Sequence, residues 1–144
     1  MIPLSAGDFY FAYNATWEFF HDKGGEEALV QYWRDVGKGY YSYLTERFAE
    51  GGLPAVRDYW AEFFADEPGT EIEITSTEDE VLLDIAVCPA IRWLRNAGRE
   101  IVPYYCDHCR HVSEAICEGA GITFELQGGM GACRQVFRRQ GGAA

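Results

Sequence analysis

The chain has no stretch of about eighteen uninterrupted apolar residues, and its opening MIPLSAGDFYFAYN has no basic segment followed by a continuous apolar core. Neither a membrane span nor a secretory leader is expected, and a soluble, cytoplasmic protein is. Basic residues are scarce, 12 against 23 acidic, which sets the formal charge at −11. Such a molecule repels phosphate backbones and anionic lipid surfaces, so neither nucleic acid nor membrane is an expected partner. An even cysteine count is also missing. Five thiols would leave one over in a secreted disulfide framework, whereas an intracellular chain can keep them all as thiols or ligands. Internal repeats and an interdomain linker are absent as well, which predicts a single domain over 1–144.

What is present is enough for one aromatic core. Of 144 residues 48% are hydrophobic, and Phe and Tyr supply nine each. A chain of this size buries about two-thirds of its unfolded surface, and it is expected to fold alone or as a homo-oligomer. The few cations concentrate late, at Arg92, Arg95, Arg99, Arg110, Arg134, Arg138 and Arg139. They read either as a local anion site or as solvated helix and strand faces.

Apolar spacing of three and four residues predicts a helix over 8–22, with Asp8 as N-cap, stopped by Lys23-Gly24-Gly25. A second helix runs over 26–49, weakened in the middle by Gly37 and Gly39, where a kink or a close packing contact is expected. Gly51-Gly52 ends it, and LPAVRDYWAEFFAD supplies a third with Pro54 in its first turn. The period changes at Asp66-Glu67-Pro68-Gly69. TEIEITS then alternates, EVLLDIAV alternates less cleanly and reads as more buried, and together they suggest a hairpin across Thr77-Glu78-Asp79. Helices follow from Cys88-Pro89 to Gly98 and from Pro103 to Gly119, and GITFELQ and CRQVFRR close the chain as a second hairpin before a GGAA tail. The fold class is α+β: about four antiparallel strands in two hairpins, packed with about five helices, in a helical half (7–66) and a cysteine-bearing α+β half (70–139).

All five cysteines, Cys88, Cys106, Cys109, Cys117 and Cys133, fall in that second half. YYCDHCRHVSEAIC gathers three of them with two histidines. Cys106 and Cys109 form CxxC, and thiolates at i and i+3 of a helix start can meet one ion. No second CxxC exists, so a closed zinc or iron–sulfur site would need Cys88 and Cys133 brought in from element ends. The same residues support another chemistry. A cysteine at a helix start has its thiolate stabilised by free N–H groups, which makes Cys106 the candidate nucleophile. His108 is then the candidate acid/base, with His111 as the other imidazole within reach. Asp107 would orient a histidine or anchor an amine, or simply occupy a helix's first turn. Unliganded packing thiols are the third alternative. Cys117, deeper among Val112 and Ile116, reads as core. The QGGMGAC turn permits positive φ, and its N–H groups can also approach an anion. The rings of Tyr10, Tyr13, Trp17, Tyr32, Trp33, Tyr40, Tyr41 and Tyr43 either fill the core or line a pocket for a flat or apolar ligand. His21 has no evident partner.

VCPAIRWLRNAGREIVPYYCDHC followed by GITFELQGGMGACRQVF resembles the L-2-amino-thiazoline-4-carboxylic acid hydrolase family. The likeness covers roughly the last third of the chain: Cys88-Pro89 at a strand end, Gly98 after a helix, Cys106 with Asp107 or Cys109, and Gly129-Met130-Gly131-Ala132-Cys133 leading to Phe137. It implies an α+β hydrolase that opens a cyclic amidine by water addition and C–N cleavage, with Cys88, Cys106 and Cys133 as site candidates. The additional His108 and Cys109 depart from that pattern towards a metal-like cluster. The terminal Gly-x-x-x-Cys-x-x-x-Phe is also similar to small-molecule-binding domains of the 4-vinyl reductase type, which implies a sensor without catalysis. Two expectations result. One is a small-molecule hydrolase using Cys106, His108 and Asp107. The other is a ligand-binding or sensor domain with Cys88, Cys106, Cys109 and Cys133 on Zn or an Fe–S cluster.

Overall fold

The computed structural model describes residues 6–67 and 69–141. Four α-helices, a short π-helical segment and four strands follow in the order α1 (Ala6–Asp35), π segment (Val36–Tyr40), α2 (Ser42–Ala65), β1 (Glu71–Ser76), β2 (Glu80–Val87), α3 (Pro89–Asn96), α4 (Asp107–Glu118), β3 (Ile122–Gly129) and β4 (Ala132–Arg139). The α+β class and both hairpins are as expected, and the helix count is four rather than five. The difference lies in how the glycine pairs act. Gly25 (φ 77, ψ −175) and Gly52 (φ 65, ψ −153) leave helical geometry inside α1 and α2. At each glycine two helical segments meet across a kink, so the expected breaks are present although each pair of segments counts as one helix. The wide turn at Gly37 and Gly39 does separate α1 from α2. Among the expected boundaries, Pro68, residues 1–5 and the last three residues of the tail lie outside the described residues.

The sheet order is β1-β2-β4-β3, antiparallel throughout. The two hairpins therefore join through β2 and β4. Alternation puts Val81, Leu83 and Ile85 on the face that meets the helices, and the register sets Phe137, Gln135 and Cys133 opposite them. On β3 the same rows continue through Phe124, Leu126 and Gly128. This period-2 placement is what carries Cys133 and Gln135 inward.

Two buried clusters fill the space between helices and sheet. One joins α2, α4 and the sheet through Leu44, Phe48, Val56, Leu83, Ile116 and Phe137. The other joins α1, α3 and the 101–105 turn through Trp17, Leu29, Trp33, Ile91, Leu94 and Tyr105. Cys88 and Val112 pack against both. α4 can approach the π segment closely because Gly37 has no side chain: a Cβ there would lie 2.7 Å from Ala115 Cβ and 2.7 Å from the Val112 carbonyl oxygen. The end of α1 is tied to the end of α4 by Arg34, which donates to both Glu118 carboxylate oxygens at 2.6 and 2.8 Å.

Candidate ligand cavity and its thiol wall

The β3–β4 turn brings the cysteines together. Gly128 has φ 90 and a Cβ there would meet the Ala132 carbonyl oxygen at 2.7 Å, so the strands close tightly only with glycine. Met130, at the tip, adopts φ 55. Three interactions pin this tip. The Cys88 N–H donates to the Gly131 carbonyl at 2.8 Å, Arg95 Nη2 donates to the Met130 carbonyl at 2.7 Å, and the Met130 N–H donates to Cys106 Sγ at 3.1 Å. The end of β2, the start of α4 and the start of β4 thus meet at one hairpin, as their positions at element ends predicted. The turn's two readings merge, because its N–H serves a sulfur of the same chain.

Between the two core clusters lies a cavity of about 830 Å³, within the range typical of small-molecule sites. Tyr10, Tyr13, Trp17, Tyr32, Trp33, Tyr40 and Tyr41 line it, so the aromatic positions of the N-terminal helices form a pocket wall as well as core. Tyr43 lies outside it. All five cysteines and His108 line the opposite side with Met130 and Gln135. Phe9, Tyr13, Tyr40 and Phe63 line the cavity and are also exposed, which puts its mouth between the start of α1, the π segment and the end of α2. Beside this mouth the Tyr10 hydroxyl donates to Glu67 Oε2 at 2.5 Å. Burial first, and then Glu67, hold the Tyr10 phenol in its protonated form.

Cys106 immediately precedes α4 with helical dihedrals (φ −75, ψ −12). Burial pushes its thiol up, while the Met130 N–H and the nearby Arg95 pull the other way without cancelling that push. Burial likewise raises Cys133 and lifts Cys109 well above the ordinary thiol range. Cys117 is 1% exposed, sits in the α2–sheet core as expected, and is pushed up to about 12 by burial. His108 is lowered to about 4 because burial disfavours its cation. Its Nδ1 lies 2.6 Å from the Tyr105 carbonyl oxygen, which makes Nδ1 the protonated nitrogen, and its ring packs on Trp17 at 4.4 Å between centroids. Nε2, left as acceptor, is 3.5 Å from Cys109 Sγ. The imidazole therefore pairs with Cys109, whereas Asp107 opens α4 as an exposed residue and does not line the cavity. His111 stacks on Trp33 at 5.8 Å, and His21 on Tyr104 at 4.5 Å, the partner the sequence did not suggest.

Cys88, Cys106, Cys109 and Cys133 share this wall, yet among the described residues no group of three or more His, Cys, Asp or Glu is placed to hold one metal ion. The four-thiol Zn or Fe–S arrangement drawn from spacing thus has no assembled ligand set here. Surrounding one hollow is a looser condition than converging on one point. The late arginines form no cavity anion site. Arg138 pairs with Glu80 and Glu125, Arg139 with Asp79, Arg92 donates to the Gly69 carbonyl, and Arg99 covers the Phe11 ring.

Sequence reasoning missed three polar groups of the cavity. Gln135 is 5% exposed, and its amide nitrogen lies 3.7 Å from Cys133 Sγ. Its place between Cys133 and Phe137 in an alternating strand was the available signal. Trp33 Nε1 and Trp60 Nε1 are buried without a hydrogen-bond partner among the described residues. Nothing in the sequence marks an indole as unpartnered. Among the described residues no helix is long and apolar enough to cross a membrane. No family model matches the chain, and no curated protein matches it in sequence.

Proposed function

We propose that the protein is a small-molecule-binding domain that takes an apolar ligand into the cavity between its aromatic N-terminal helices and the thiol-bearing wall formed by α4 and the ends of β2 and β4. The observation that carries this reading is the cavity itself, about 830 Å³ and walled mainly by rings and aliphatic groups with a few polar ones. Burial favours the neutral forms of Cys106, Cys109, Cys133 and His108, which suits a wall that receives an uncharged molecule. Calorimetric titration with naphthalene-type probes tests it. Saturable one-to-one binding is expected, weakened at least about tenfold by Leu126→Trp, which places a larger ring in the cavity. Absence of binding by any neutral aromatic probe sinks the proposal.

A second reading keeps the hydrolysis implied by the family resemblance. It is favoured by the 3.5 Å approach of His108 Nε2 to Cys109 Sγ, a distance at which an imidazole can accept a thiol proton. Steady-state assays with a cyclic amidine would show C–N cleavage lost in Cys109→Ala and in Cys106→Ala. Turnover unchanged in both variants would remove this reading.

A further inference from the structure

Cys106 and Met130 meet in two directions. The Met130 N–H donates to Cys106 Sγ at 3.1 Å, and the thiol in turn donates to Met130 Sδ at 3.9 Å. One proton therefore lies between two soft sulfurs, and the backbone donor on Sγ favours the thiolate form that a metal requires. The pair is held in place from outside. Arg95 Nη2 fixes the Met130 carbonyl at 2.7 Å, and the Cys88 N–H fixes the Gly131 carbonyl at 2.8 Å. Cys106 and Met130 are both half-buried and both line the cavity, which gives an ion a way in from solution.

The geometry points to a binding site for a soft monovalent cation, Cu(I), held between Cys106 Sγ and Met130 Sδ in place of the thiol proton. Two metal–sulfur bonds of about 2.3 Å each span up to about 4.6 Å, so one ion touches both sulfurs where they stand, 3.9 Å apart. Thiolate and thioether together select Cu(I) over harder ions, and Cu(I) accepts fewer donors than a closed zinc site requires. Charge points the same way. Cu⁺ bonds to the thiolate, the proton it displaces goes to water, no electron moves, and the site stays neutral inside an apolar wall. Zn²⁺ on the same two sulfurs would leave a positive charge unpaired, and among the described residues no group of three or more His, Cys, Asp or Glu is placed to complete it. A molecule of net charge −11 attracts cations in general, and the two sulfurs choose among them. The site needs none of Cys88, Cys109 or Cys133, and it goes beyond the ligand reading, which does not depend on it.

The chain has two methionines, Met1 and Met130, so the methyl signals of ¹³C-methyl-methionine-labelled protein report on the site directly, and Met130→Leu assigns them. On the intact, reduced chain in chloride-free buffer, one equivalent of Ag(I), a redox-inert stand-in for Cu(I), should shift the Met130 methyl signal and release one proton per ion. The shift is read on the natural chain and so does not depend on any variant's folding. One equivalent of Zn(II) should leave the signal where it was. Cys106→Ser should abolish the Ag(I) shift. Met130→Leu should weaken Cu(I) retention against a competing Cu(I) chelator by at least about tenfold, since losing a ligand costs no less than losing a ligand's supporting hydrogen bond. A Met130 signal unmoved by Ag(I), or a shift that survives Cys106→Ser, overturns the site. Movement of the His108 ring signals in its place puts the ion on His108 Nε2 and Cys109 Sγ, 3.5 Å apart, and overturns it equally. A Zn(II) shift as large as that with Ag(I) overturns the soft-ion class.

Discussion

The Met130 N–H, at the tip of the β3–β4 hairpin, donates to Cys106 Sγ at 3.1 Å. A hairpin and a helix start 24 residues apart are thus joined through a thiol that burial keeps protonated.

Thiol reactivity follows from that environment. Each unit by which burial lifts a thiol lowers its thiolate fraction about tenfold. At pH 7.5 iodoacetamide should label Cys106, Cys109, Cys117 and Cys133 more slowly than free glutathione, with Cys109 and Cys117 slowest. Peptide mass spectrometry over a labelling time course measures this. Labelling of Cys106 faster than glutathione would instead support a nucleophile and the hydrolytic reading.

Tyr10, on α1, and Glu67, in the bend after α2, are joined across 57 residues beside the cavity mouth. Tyr10→Phe keeps the ring and removes the donor. It should cost about 1 kcal/mol in urea unfolding, at the low end for a hydrogen bond to a charged group because Glu67 is half-buried. Faster ligand association by stopped-flow should accompany the loss, because the tie between α1 and the segment after α2 at the mouth is gone.

Acid should weaken the fold through His108. Its folded-state value, about 4, lies below the ordinary 6.5, so the unfolded chain takes up the proton first. The stability is complete above pH 6.5 and falls as pH drops towards 4, by on the order of 3 kcal/mol from this residue. Urea titrations at pH 7 and pH 4.5, run alongside His108→Asn, isolate the imidazole from the carboxylates that titrate in both proteins. Equal acid sensitivity in the two would show that His108 is not the source.

Gly37→Ala tests the close approach of α4. The added Cβ would stand 2.7 Å from both Ala115 Cβ and the Val112 carbonyl, one of them backbone, so the helix must move. A loss of about 1–3 kcal/mol is expected, as for other overpacked sites. Gly39→Ala is the control, since a Cβ there meets nothing within 4 Å. Equal losses in both variants would place the cost in backbone preference rather than in contact.

Much of the architecture was legible in sequence because it is local. Alternation in TEIEITS and EVLLDIAV marked the first hairpin, Pro89 marked the start of α3, and Gly129 to Gly131 marked the second hairpin. Glycine pairs at 24–25 and 51–52 marked real breaks, at each of which two helical segments meet across a kink. A single residue with non-helical dihedrals interrupts the hydrogen-bond ladder only briefly, and packing on both sides decides whether the helix resumes. Conversely, the segment after Pro103 forms turns as far as Cys106, so α4 begins at Asp107.

The sequence by itself determined the α+β class, the inward rows of each strand, the core place of Cys117, and the chance for Cys88, Cys106 and Cys133 to meet at element ends. These rest on periodicity and backbone preference, which act over a few residues. Only the tertiary structure decided what the meeting produced. The order β1-β2-β4-β3, with α2 packed on the sheet and α1 packed on α3 and α4, opens a cavity whose walls come from residues up to about 130 positions apart. Burial in those walls, a sum over the whole fold, favours the neutral forms of His108 and of Cys106, Cys109, Cys117 and Cys133, while Asp107 is exposed. It also leaves the Trp33 and Trp60 N–H groups without a partner among the described residues, and a missing partner is a property of everything packed around a group.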